Sequence, residues 1–112
     1  MLTGMEQAIN ESLTSTGLTP TNCTITDGGY AKIGNLVIVN MRIVPKSGMT
    51  ASEHIEISGF PAYSGGNRVA FTTQRADAFT ATSIRNNGIL QIYPSSGAIS
   101  TDAILCSGVY IV

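Results

Sequence analysis

The stretch from Gly29 to Val44 constrains the fold more than any other part of the chain, because Gly34-Asn35 places a two-residue turn between a short strand and a long one. The long arm is apolar on both faces. Val37, Val39, Met41 and Ile43 form one wholly apolar row, while Leu36 and Ile38 begin the opposite row before it turns polar at Asn40 and Arg42. A sandwich strand needs only one such row. The second apolar patch predicts another layer or another copy of the chain, so the segment reads as part of a β domain that assembles.

At 112 residues the chain reads as one domain with one modest core. Apolar residues make up 43% and charged residues only 12%, roughly half the usual charged share of about 25%. So few charges would solvate a monomer poorly. Six basic and seven acidic residues leave a net charge of −1, which supplies no electrostatic footprint for phosphate backbones or anionic lipid. Nucleic acid and membrane insertion are therefore not expected. The chain shows no apolar run of about 20 residues and no signal-like start, and it reads as soluble when expressed alone.

Two cysteines, Cys23 and Cys106, and a single histidine, His54, fall short of a structural zinc set, so neither a metal nor a cofactor is expected. The cysteines read as small buried hydrophobes, with a bridge open if the first and last strands are neighbours. Asn22-Cys23-Thr24 matches a glycosylation pattern that arises often by chance, and it is discounted.

Thr3 and Glu6 have the spacing of a capping box, and Leu2, Met5, Ile9 and Leu13 follow as a narrow stripe with Gly17 as a stop. A short N-terminal α-helix and connector is thus expected over 1–17. After Leu18 the chain changes to short alternating segments separated by Gly, Asn and Pro clusters, which predicts a β-sandwich head domain over 18–112. About eight strands are expected, near 23–26, 30–33, 36–44, 52–58, 68–73, 79–85, 89–93 and 103–112. Asn87-Gly88 predicts a type I′ hairpin turn. The longest irregular stretch, Gly59 to Asn67, is glycine-rich and carries Phe60 and Tyr63. In the last strand Ile104, Cys106, Tyr110 and Val112 lie on one side, and Leu105, Val109 and Ile111 lie on the other. Both sides are apolar, as in the long arm of the opening hairpin.

Gly29-Tyr30-Ala31-Lys32-Ile33-Gly34-Asn35-Leu36-Val37-Ile38-Val39 resembles the "GGYxKIGNxVxV" opening of distal domains in bacteriophage tail-fibre, baseplate and head-fibre receptor-binding proteins. The likeness continues downstream. Ile57-Ser58-Gly59-Phe60-Pro61 is similar to a segment of that family that usually has leucine where Phe60 stands, Ser83 to Leu90 is similar to its penultimate hairpin, and Ser107-Gly108-Val109-Tyr110-Ile111-Val112 is similar to its closing "SGxYxV". The resemblance covers most of residues 28–112. It implies a jelly-roll-like antiparallel sandwich, assembled as a homotrimer at a virion fibre tip beside other fibre or baseplate proteins, and touching host cell-surface carbohydrate.

Residues for an enzyme are thin. His54 and Glu56, two apart in a strand, share a face, but Ile55 and Ile57 mark the core side and leave that pair solvated, with no nucleophile or orienting third group. Asp27 and Asp102 read as turn residues capping local amides; Asp77, in Gln74-Arg75-Ala76-Asp77, is a loop residue able to hold a polar ligand. No catalytic site is expected. For carbohydrate binding the candidates are Tyr63, Asn67, Arg68, Gln74, Arg75 and Asp77, which combine an aromatic face with amide, guanidinium and carboxylate groups. Phe60 and Tyr93 are expected to pack. The oligomer contact is expected at Met5, Ile9, Leu36, Ile38, Tyr110 and Val112. The expected function is a non-enzymatic attachment domain strengthened by multivalency. The alternatives are a fibre or capsid cap without a ligand, and a monomeric carbohydrate-binding module.

Overall fold

The computed structural model describes residues 13–50, 52–65, 69–73, 79–94 and 103–112. Within them the chain is all-β, with no helix among the described residues. Its strands are β1 (Thr19–Thr21), β2 (Cys23–Ile33), β3 (Leu36–Pro45), β4 (Ile55–Ser58), β5 (Val69–Ala70), β6 (Thr72–Thr73), β7 (Phe79–Ile84), β8 (Leu90–Pro94) and β9 (Ile104–Ile111). They form two antiparallel sheets, ordered β1-β4-β8-β7-β5 and β2-β3-β9-β6. The capping box, Met5 and Ile9 lie outside the described residues. Leu13, the last member of the expected helical stripe, leads instead into a bridge between Thr14 and Tyr30, and Gly17 sits in a turn closed by the Leu18 amide donating to Ser15 at 3.0 Å.

The alternation read in the opening hairpin sets the core. Val37, Val39, Met41 and Ile43 of β3 are all at most 2% exposed, and they meet Ile55, Ile57, Leu90, Ile92 and Ile84 of the other sheet. Burial of these aliphatic side chains, each worth about 1.5–3 kcal/mol, is the main force holding the two layers together. Gly34 adopts φ +59° in the tight turn that pairs Ile33 with Leu36, as its position predicts.

Three local expectations are corrected. Asp27-Gly28-Gly29 does not break the chain into two strands; it lies inside β2, where a bulge shifts the register between Ile25 and Asp27. Asn87-Gly88 is not a type I′ turn: Gly88 alone has positive φ, its amide donates to Arg85 O at 2.9 Å, and the Arg85 amide donates to Ile89 O. That pattern is a three-residue loop with glycine in the left-handed position. The strand expected over 68–73 is two short ones.

Those two short strands explain how the sandwich closes. β5 belongs to one sheet and β6 to the other, so the chain changes sheets at the buried Phe71, whose amide donates to Thr82 O at 2.9 Å. At the opposite seam β1 and β2 do the same across Asn22. This residue has φ +64°, its Nδ2 donates to His54 O at 2.8 Å, and its carbonyl accepts from Lys46 N at 2.9 Å. Asparagine is one of the few non-glycine residues that tolerates this conformation. Its side-chain amide is thus committed internally. Cys23 and Cys106 are free; they lie in β2 and β9, on either side of β3, and burial raises their thiols to about 11 and about 12.

Candidate functional site

Of the expected carbohydrate ligands, Asn67, Arg68, Gln74, Arg75 and Asp77 lie outside the described residues. Tyr63 is described, and it faces inward. Its hydroxyl donates to Ile84 O at 2.9 Å, its ring lies 5.5 Å from that of Tyr110, and it packs against the core. The segment around it is a strap across one end of the sandwich. Phe60 N donates to Gly88 O, Tyr63 N to Asn86 O, Asn86 Nδ2 to Gly65 O and Tyr110 OH to Pro61 O. Phe60 is 4% exposed and meets the Tyr30 ring edge-on, which matches its expected packing role. Burial pushes the Tyr110 phenol up, with Tyr30 and Tyr63 adding to the effect.

Of the expected contact residues, Leu36, Ile38, Tyr110 and Val112 are described, and they divide between the two sides of one sheet. Tyr110 is 3% exposed and Val112 packs against the core, so both belong to the inner row. Register pairs Tyr110 with the fully buried Val37, and Gly108 in the same row leaves room for the Phe71 ring. The outward row of β9 is therefore Leu105, Val109 and Ile111, at 46, 52 and 65% exposure. Leu36 and Ile38 do face outward, partly covered. Register sets Ile33, Leu36 and Ile111 side by side, and next to them Ala31, Ile38 and Val109. Ala31 is itself buried, and the other five make an apolar patch on the outside of the finished sandwich, with no charged side chain in either row.

Further along the same outer face, Asn40 and Ser107 are paired, then Asp27, Arg42 and Leu105 stand in one row. Here Leu13, Asp27, Gly28, Asn40, Met41, Arg42 and Leu105 line a cleft of about 490 Å³. Asp27 Oδ1 accepts from its neighbour Gly28 N at 2.8 Å, the local cap expected from the sequence. A side chain at Gly28 would strike the carbonyl oxygen of Asn40. The glycine is thus required where the bulged strand approaches its neighbour.

On the outer face of the other sheet, His54 Nε2 and Glu56 Oε1 are 2.9 Å apart and Gln91 Nε2 donates to the same Glu56 oxygen at 2.9 Å. His54 and then Gln91 hold the Glu56 carboxyl below its ordinary value. The His54 ring stacks on Tyr93 at 4.8 Å. Gln91 is only 5% exposed and its Oε1 has no hydrogen-bond partner. Neither the His54–Tyr93 stack nor the Gln91 contact was visible in the sequence, because both depend on the register Ile55↔Ile92 and Glu56↔Gln91. No nucleophile stands in this cluster, and no group of three or more metal-ligating side chains occurs among the described residues. No helix among them is long and apolar enough to cross a membrane.

No family model, curated protein or solved structure matches the chain.

Proposed function

We propose that this chain is a non-enzymatic attachment domain at the tip of a bacteriophage fibre, a jelly-roll-like sandwich that assembles as a homotrimer, sits in the virion beside other fibre or baseplate proteins, and engages host cell-surface carbohydrate. One observation carries the reading. Ile33, Val109 and Ile111, beside the partly covered Leu36 and Ile38, leave aliphatic side chains about half-exposed on a sheet whose core side is already complete. Patches of this kind mark association surfaces. A second copy is the fitting occupant, since the patch is uncharged and a net charge of −1 lets copies approach with little repulsion. The resemblance of Gly29–Val39 and of the closing Ser107–Val112 segment to phage fibre tips adds support.

Sedimentation equilibrium at micromolar concentration tests it. The wild-type chain is expected to run at three times its protomer mass, and Val109→Asp and Ile111→Asp to run at one. A wild-type monomer overturns the proposal. The inward commitment of Tyr63 favours a second reading, a fibre cap without a ligand. Uniform silence of the trimer on an array of host-surface glycans would select that reading.

A further inference from the structure

We infer that the cleft between Asp27 and Arg42 is a binding site for a neutral, polyhydroxylated ring, a single hexopyranose unit of a glycan. The inference rests on the carbohydrate part of the reading above and gives it a place distinct from the loops first considered. The cleft, at about 490 Å³, is within the roughly 300–1,000 Å³ range of small-molecule sites. Its polar groups converge from adjacent strands. Asp27 and Arg42 are register partners and Asn40 is two residues from Arg42, so all three share the outer face.

These groups are uncommitted in a way that suits hydroxyls. Among the described residues, the Arg42 guanidinium and the Asn40 amide make no hydrogen bond or ion pair. Asp27 uses Oδ1 on Gly28 N, which orients the carboxylate and leaves Oδ2 as an acceptor. A sugar hydroxyl donates to a carboxylate and accepts from a guanidinium or amide, so one ring with neighbouring hydroxyls can satisfy all three at once. An anionic ligand would gain from Arg42 but meet the Asp27 charge in the same row. Leu13 and Leu105 supply aliphatic contact for the C–H faces of the ring, and Leu105 is 46% exposed until something covers it. The bulge and the close approach of Gly28 to Asn40 fix the backbone of the site in advance of binding.

The test is an NMR titration of the ¹⁵N-labelled full chain with the methyl glycosides of glucose, galactose and mannose, alongside glucuronate as an anionic probe and glutamine as a zwitterionic one. At least one neutral glycoside should give saturable shifts of the Arg42 Nε–H and Asn40 Nδ2 signals, with a millimolar dissociation constant typical of a small polar ligand. Asp27→Asn, which can still cap Gly28, and Arg42→Gln should each weaken it at least tenfold while the remaining spectrum keeps its dispersion. The inference fails if no neutral glycoside saturates these signals. It also fails if glucuronate or glutamine binds there more tightly, or if Arg42→Gln leaves sugar affinity unchanged. Sedimentation of the same samples separates the two claims: a trimer without sugar binding removes this site alone, and a monomer that binds sugar removes the assembly instead.

Discussion

The ring of Phe71 occupies the space where Gly108 has no side chain. A Cβ on Gly108 would overlap the Cγ, Cδ1 and Cε1 atoms of Phe71. Phe71 is the buried residue at which the chain passes from one sheet to the other, so it is poorly placed to retreat. Gly108→Ala should therefore destabilise the domain by about 1–3 kcal/mol, the usual cost of overpacking. Urea unfolding of Gly108→Ala, with Phe71→Leu as a compensating second change, measures it; recovery in the double variant confirms the steric origin.

Opposite rows of β3 should respond differently to charge. Val39 is 1% exposed, and a carboxylate there has no partner, so Val39→Asp is expected to abolish folding. Ile38 is on the outer face beside Val109, and Ile38→Asp should leave the protomer folded while lowering its sedimenting mass. Circular dichroism and sedimentation together distinguish the two outcomes.

At the seam between β1 and β2, Asn22 combines a left-handed backbone with a side-chain hydrogen bond to His54 O. Asn22→Gly keeps the conformation and loses the bond; Asn22→Ala loses both advantages. The expected destabilisations are about 1 kcal/mol for glycine and about 2 kcal/mol for alanine, read from chemical denaturation. Equal effects would mean that the conformation contributes nothing.

Thr82 carries a buried hydroxyl with no hydrogen-bond partner. Valine has nearly the same shape without the unsatisfied group, and the Thr82 carbonyl that receives Phe71 N is unaffected by the change. Thr82→Val should stabilise the domain by about 1 kcal/mol. A rise in the thermal midpoint checks this.

The Glu56 carboxyl is held below its ordinary value of 4.5 by His54 and Gln91. A lowered folded pKa gives stability that is present above 4.5 and is lost as pH falls through the folded value. Urea midpoints measured downward from pH 5 should drop more steeply for the wild-type chain than for Glu56→Gln. Parallel curves would show that the carboxylate is not held this way.

The long arm of the opening hairpin was legible because its pattern is redundant: four apolar residues at even spacing mark one face of β3 whatever surrounds them. The closing strand was ambiguous for the opposite reason. Both of its rows are apolar, and it is the pairing of Tyr110 with the buried Val37, with Gly108 beside the Phe71 ring in the same row, that puts Tyr110 inward and Val109 outward. β1 is not legible because Thr19-Pro20-Thr21 is short, exposed and carries a proline, and its pairing with β4 is a tertiary fact. The changes of sheet at Asn22 and Phe71 likewise left no local signature. As for the cleft, its members come from β2, β3, β9 and the residue before Thr14. Asp27 is legible as a cap, but nothing local places it beside Arg42 and Leu105.

The strap that crosses one end of the sandwich is fastened almost wholly through main-chain atoms of Phe60, Pro61, Tyr63 and Gly65 and through aromatic rings directed inward. Ala62 and Ser64 point away from this fastening and are exposed. Those two side chains can therefore change without disturbing the framework, so this segment tolerates sequence variation at alternate positions while its main chain stays pinned.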